Sequence, residues 1–479
     1  MAATTATADD RAFLGHPKGL AFMSFTEAWE RFSYYGMQAL LVLYLANQLL
    51  LPGHVEHVAG MDPARWFFNH TYGGGRTLSV QALAAAIVGF YTSTVYLTPI
   101  FGGLLADSVL GRTRTVILGA VLMALGHFLM AFDVSFLLAL ICLMLGAGCL
   151  KGNLAAQVGS LYAPDDNRRA DAFQIYYLGI NGGVIFGPMV TGALGQGIAW
   201  HYGFGAAGVG MVISLVIYLT GRRHLPPDPP RGAIARAAAK AERTPMTARD
   251  WAVFSLLVLL LPVLALSIVG NNEIFNGYLL WADKSADLQV FGVKVLTSWL
   301  VSVDSVVSVV TLAGMVLFWR AWAKKFKEPD EIGKIVIGCL FGAAGVLCLA
   351  AGASLAAATG QKVSFGWLLG FHLLNDIGFA NVLPVGLAFY VRSAPKALAG
   401  FIVGLYYLHL WAGNTLVGVL AGQLEKMPAV QFWLLHAALV AGAGVVFFVV
   451  RLFFGALLRG EPSHLDTATV VAADAGETP

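Results

Sequence analysis

The stretch EAWERFSYYGMQALLVLYLANQLL, residues 27–50, joins three charged side chains to an apolar run long enough to cross a bilayer. On a helix Glu27 and Glu30 lie three residues apart and Glu27 and Arg31 four apart, so all three share one face. Glu four residues before Arg is also the favourable order for an intrahelical pair. One guanidinium cannot neutralise two carboxylates, and the surplus acid is suited to bind a proton reversibly. A salt bridge at the helix entrance is the plainer alternative. Either reading begins with a helix in lipid.

The rest of the chain agrees. Of 479 residues 58% are hydrophobic and 12% charged, with a mean hydropathy of +0.72, a balance that a water-exposed surface of this size does not support. The net charge of +3 gives no reason to expect nucleic acid. The polar start MAATTATADDRAFLGHPKG has no apolar signal core, so no cleavage is expected. Cys142, Cys149, Cys339 and Cys348 sit in apolar runs without metal-site spacing and read as packing residues.

Apolar runs recur at 22–50, 79–105, 114–132, 135–161, 172–194, 203–221, 251–280, 295–319, 332–357, 365–391, 397–422 and 429–458. The expected fold is therefore an all-α membrane protein of twelve transmembrane helices. A charged, proline-bearing linker at 222–250 divides it into six-helix bundles at 21–221 and 251–459, with tails at 1–20 and 460–479, the last expected to be disordered. If the first residues are cytoplasmic, the cytoplasmic segments hold 22 of the 30 Lys and Arg and the opposite side six. That bias places both termini in the cytoplasm. The two basic residues left over, Arg31 and Lys151, are the cations at membrane depth, beside the acids Glu27, Glu30, Glu273, Asp304 and Asp376. Intramembrane charges are functional candidates because lipid penalises them unless they are paired or wetted. Gly146, Gly148 and Gly152 around Lys151 permit close helix approach and turn it toward a neighbour or cavity; snorkelling to the interface is the alternative.

Several motifs then carry a resemblance. EAWERFSYYG matches every defined position of ExxERFxYYG, the signature of the proton-coupled oligopeptide transporters of the major facilitator superfamily. YLTPIFGGLLADSVLGRTRTVILG (96–119) resembles that family's second helix and following loop, with Asp107 and Arg112 in the loop motif. GCLKGN (148–153) resembles GxxKPN with Gly152 for proline, and YYLGINGG (176–183) resembles FYxxINxG. LPVGL (383–387) and Gly413–Asn414 resemble the tenth and eleventh helices.

The resemblance implies the major facilitator fold, with two bundles around a central cavity. It implies Glu27, Glu30 and Arg31 as the proton-coupling cluster, with Lys151 as their partner and a substrate contact. Tyr34, Tyr35, Tyr96 and Asn181 would line the cavity, with Trp299 on the eighth helix and Tyr406 and Asn414 on the eleventh. The expected activity is symport of protons with di- or tripeptides, or peptide-like solutes, by a monomer in the plasma (inner) membrane. A proton gradient would drive it, with no cofactor, metal or catalytic residue.

Departures from the family concern the substrate. Gln38 stands where an arginine usually follows YYG-Met, and Phe379 where a tenth-helix glutamate usually stands. Asp376 lies one turn before Phe379, Asp304 replaces the usual eighth-helix asparagine, and Glu273 matches the seventh-helix glutamate only if the alignment slips by one residue. A cationic group of the substrate would then be received by Asp304, Asp376 or Glu273, unless these acids only join helices. His372 is positioned to pair with Asp376 or simply to pack, and His409 stands likewise. A pocket retuned to a non-peptide amine, and a sensor without transport, are the alternatives. No HExxH, GxSxG or Walker loop argues for catalysis. Loop 51–78 carries His54, His57 and His70 without metal spacing, and its glycine run reads as a flexible turn.

Overall fold

A computed structural model describes residues 10–163, 166–230, 232, 245–398 and 401–459. The expected tail at 460–479, the first nine residues and most of 231–244 of the linker lie outside the described residues.

Twelve long helices are present among them. They are α1 (Lys18–Tyr44), α2 (Val80–Leu105), α3 (Arg112–Leu129), α4 (Phe136–Ser160), α5 (Arg168–Gly195) and α6 (Trp200–Gly221). The second set is α7 (Ala248–Ser267), α8 (Trp299–Trp322), α9 (Glu331–Thr359), α10 (Phe365–Ser393), α11 (Ile402–Ala421) and α12 (Ala429–Arg459). By length and composition eleven of these are apolar enough to cross a membrane. The exception is α1, whose charges and Gln38 lower its hydropathy although Met37–Leu45 is fully enclosed by its neighbours.

Two groups form. Helix α1 packs on α5 and α6, α3 on α4 and α6, and α2 on α4; in the second half α9 packs on α10 and α12, α7 on α11 and α12, and α8 on α10. The halves meet where α2 crosses α11 and α5 crosses α8. Lipid-phase packing rewards close backbone approach, and Gly89 against Gly418 supplies it: a Cβ at Gly89 would lie 2.5 Å from the Gly418 Cα. Gly148 likewise abuts Thr98, whereas Gly152, expected to pack as well, is exposed with nothing beside it.

The hydrogen bonds joining the halves cluster on the face that carries the α1–α2 and α7–α8 loops. Lys284 Nζ donates to Gln81 Oε1 at 2.6 Å, Ser79 bonds Glu425, and Asn276 Nδ2 donates to the Ala85 carbonyl at 3.0 Å. Trp299 Nε1 donates to the Met189 carbonyl at 3.0 Å, and Ser302 Oγ to that of Ile185 at 2.7 Å. This loop face is closed.

Three elements depart from the sequence reading. The run 251–280 is not one helix: α7 stops at Ser267, a turn covers Val269–Asn272, Glu273–Phe275 is a 3-10 turn, and helix resumes at Gly277–Ser285. Gly270, Asn271, Asn272, Asn276 and Gly277 are weak helix formers, and the Glu273 carboxylate accepts the Gly277 N–H at 2.8 Å in place of a lost backbone bond. Loop 51–78 contains a helix, Met61–Thr71, whose Phe67 and Phe68 rings pack on Phe90 of α2. Two-residue strands add to the expected all-α fold: β1 (Ala286–Asp287) pairs with β4 (Val363–Ser364), and β2 (Gln289–Val290) with β3 (Val293–Lys294). Before α1, Asp10 accepts the N–H groups of Lys18 and Ala12, which hold its carboxyl below the usual range.

Candidate functional site

The α1 charges form one enclosed group. Arg31 donates from Nη2 and Nε to Glu27 Oε1, at 2.5 and 2.8 Å. Its Nε also forms an ion pair with Glu30 Oε2 at 3.1 Å, but among the described residues neither Glu30 oxygen has a hydrogen-bond partner although the residue is only 1% exposed. The surplus acid is Glu30. Buried polar groups are normally bonded, and a carboxylate left this way is relieved by taking up a proton. Tyr176 of α5 lies against Glu27 and bounds the group on that side.

Lys151 forms no ion pair among the described residues. Its Nζ sits 4.4 Å from the centre of the Tyr34 ring and 5.2 Å from that of Tyr96, so its charge rests on aromatic faces. These rings belong to the wall of a pocket between the halves with an empty volume of about 860 Å³, mouth included. The first half contributes Tyr34, Tyr35, Gln38, Thr92 and Tyr96; the second contributes Asn271, Asn272, Asp304, Phe379 and Asn414. Gln38 Nε2 donates to Thr92 Oγ1 at 2.9 Å, leaving its Oε1 unbonded.

Behind Asp304 the pocket wall continues into a polar chain. Asp304 Oδ1 lies 2.8 Å from His372 Nδ1, and His372 Nε2 lies 2.9 Å from the Tyr278 hydroxyl. Asp376, one turn after His372 on α10, is 1% exposed, and among the described residues neither of its oxygens has a hydrogen-bond partner.

Comparison with known proteins bears on this arrangement. The family model described as PTR2, POT family, matches residues 113–250 and 251–437, more than half of the chain. The chain belongs to the POT family. Similar relatives include the peptide transporter YePEPT of Yersinia enterocolitica, 28% identical over 522 residues spanning 94% of this chain and 97% of that protein. A di-/tripeptide transporter of Lactococcus lactis is 41% identical over 221 residues, 45% of this chain and 40% of that one. A crystal structure of a peptide transporter POT in complex with sulfate superposes with a TM-score of 0.80 at 25% identity, covering 95% of this chain and 98% of the other. The twelve helices in two groups around a cavity are the major facilitator architecture.

Within this POT-family site the expected residues separate. Tyr34, Tyr35, Gln38, Tyr96, Asp304, Phe379 and Asn414 line the pocket, and Lys151 backs its aromatic wall. Glu273 does not line it: Asn271 and Asn272 do, while Glu273 turns away to His436 of α12, with Oε1 and Nε2 2.8 Å apart. The break in α7 causes this by rotating the residues that follow. Trp299 is committed to the seam with α5. Asn181 donates to the Tyr177 carbonyl one turn earlier, and Tyr406 donates to that of Leu383 and lines, with Tyr177 and Tyr407, an adjoining chamber that shares Ser308, Phe379 and Leu383 with the pocket. Asp376 lies behind the wall, and His372 pairs with Asp304 rather than with Asp376. His409 Nδ1 lies 2.5 Å from the Tyr406 carbonyl oxygen. Thr92, Asn271, Asn272 and Ser308 were not anticipated; the paired asparagines inside an apolar run were the available signal.

Proposed function

We propose that the chain is a proton-coupled symporter importing small peptides or peptide-like solutes by alternating access. On this reading it is a transporter and not an enzyme, in the plasma (inner) membrane with both termini in the cytoplasm. The asymmetry of basic residues supports that orientation. The closed loop face is then extracellular, and the conformation faces inward.

The observation that carries the reading is Glu30, enclosed and unbonded beside an arginine already engaged by Glu27. With the pocket open to the outside, a proton reaches Glu30 and removes its charge. Arg31 then serves Glu27 alone, and Lys151, seated between Tyr34 and Tyr96, is free to receive a substrate carboxylate. Asp304, with one oxygen committed to His372, receives the ammonium group from the opposite half. Gln38, Asn271, Asn272 and Asn414 supply amide groups for the peptide backbone without selecting side chains. A solute bridging Lys151 and Asp304 draws the halves together. Opening to the cytoplasm lets Glu30 lose its proton, and its restored attraction for Arg31 and Lys151 weakens the carboxylate's hold.

In proteoliposomes, Glu30→Gln is expected to abolish accumulation driven by an inward proton gradient while preserving counterflow exchange of the same substrate. Accumulation retained by the variant would sink the scheme. The relatives named as peptide transporters support the peptide class. Phe379 on the pocket wall and Gln38 tied to Thr92 favour a second reading, a smaller amine-bearing solute. Failure of every di- and tripeptide to compete for uptake would select it.

A further inference from the structure

The second half contains a group of ionisable side chains that the α1 cluster does not account for. Tyr278, His372, Asp304 and Asp376 come from the resumed seventh helix, α10, α8 and α10 respectively. His372 bridges the Tyr278 hydroxyl and the Asp304 carboxylate, at 2.9 and 2.8 Å, and is itself fully buried. Asp376 is the independent observation: a carboxyl group 1% exposed, close enough to Asp304 for their charges to interact, with both oxygens unbonded.

The charges do not balance without a proton. An imidazolium at His372 offsets one of the two carboxylates, and a neutral imidazole offsets neither. Among the described residues no Lys or Arg pairs with Asp304 or Asp376; Lys334 of α9, the helix packed on α10, pairs with Glu328 and lies over the Trp319 ring. Elsewhere around α10, Arg392 pairs with Glu331, and Glu273 is taken by His436. Tyr406 reaches α10 at Leu383 and Gly386, and Cys348 meets it at Gly370. None of these brings a positive charge to Asp376. A proton is the ligand of the right size and charge, and Asp304, on the pocket wall, gives it an entrance.

Resting on the symport reading above, we infer that Asp304, His372 and Asp376 form a second proton-binding site, loaded from the pocket in a cycle that still requires protonation of Glu30. Its position couples it to the gate. Ser302, two residues before Asp304 on α8, holds the carbonyl of Ile185 on α5, so a change of charge at Asp304 acts beside a contact that closes the loop face. Tyr278 stands at the far end of the chain, on the segment that follows the break in α7.

The test is the number of protons moved per substrate, read in proteoliposomes from the membrane potential and pH gradient at which net dipeptide flux reverses. Wild-type protein is expected to move two. His372→Gln and Asp376→Asn, each first checked for monodisperse elution and counterflow exchange, are expected to move one while still accumulating substrate. Glu30→Gln would lose driven accumulation altogether, so failure of the symport reading is seen separately. A wild-type ratio of one overturns the second site without any variant. So does a ratio of two unchanged in either variant, the outcome expected if these side chains only fasten α7, α8 and α10 together.

Discussion

Glu27 and Glu30 differ in what surrounds them, not in kind. Residue spacing makes Glu27 the partner of Arg31, because side chains four apart on a helix meet. It leaves open how the adjacent Glu30 stands, since its bonding depends on helices far away in sequence; the structure leaves its carboxylate enclosed without a hydrogen bond. Lys151 shows the same limit. Sequence identifies it as a cation at membrane depth, but its seat is made by rings from α1 and α2. That seat makes a specific prediction. Tyr34→Phe keeps the ring and is expected to leave KM for a dipeptide near wild type. Tyr34→Leu removes a contact of about 0.5–2 kcal/mol and is expected to raise KM by roughly 2- to 30-fold. Equal effects of the two variants would assign the role to the hydroxyl instead.

Among the elements, α1 through α6 were legible because each pairs an apolar run with a clear polar boundary. The seventh was not. Its hydropathy runs unbroken across Ile268, while the break comes from asparagine and glycine within it and from Glu273 taking over a backbone bond. That break turns Asn271 and Asn272 to the pocket and Glu273 away from it. The short helix Met61–Thr71 was hidden by the glycine run that follows it. The seam between α2 and α11 also lay beyond sequence, being a meeting of Gly89 with Gly418 across more than three hundred residues. Cysteines at Ser79 and Glu425, whose side chains bond across this seam, are expected to form a disulfide under mild oxidation and to stop uptake until reduced. Uptake that continues after full cross-linking would show that the loop face need not open there.

For the whole molecule, two six-helix groups enclose a pocket and, on the proposed scheme, offer opposite chemistry to one solute: a lysine on aromatic rings in the first half, an aspartate backed by histidine in the second. The presence of charges at membrane depth was readable from composition and position. Which of them reach the pocket was not, because Asp304, Asp376 and Glu273 lie on helices of similar hydropathy, and only packing turns Asp304 to the wall and the others behind it. On the proposed scheme, driven transport follows from joining both halves to groups that gain and lose protons. The most direct measurement is accumulation of a mixed dipeptide library by the wild-type protein in proteoliposomes with an acidic exterior. Dipeptides are predicted to concentrate inside above the outside level and to leak back when a protonophore collapses the gradient. Equilibration without concentration, unaffected by the protonophore, would contradict proton coupling.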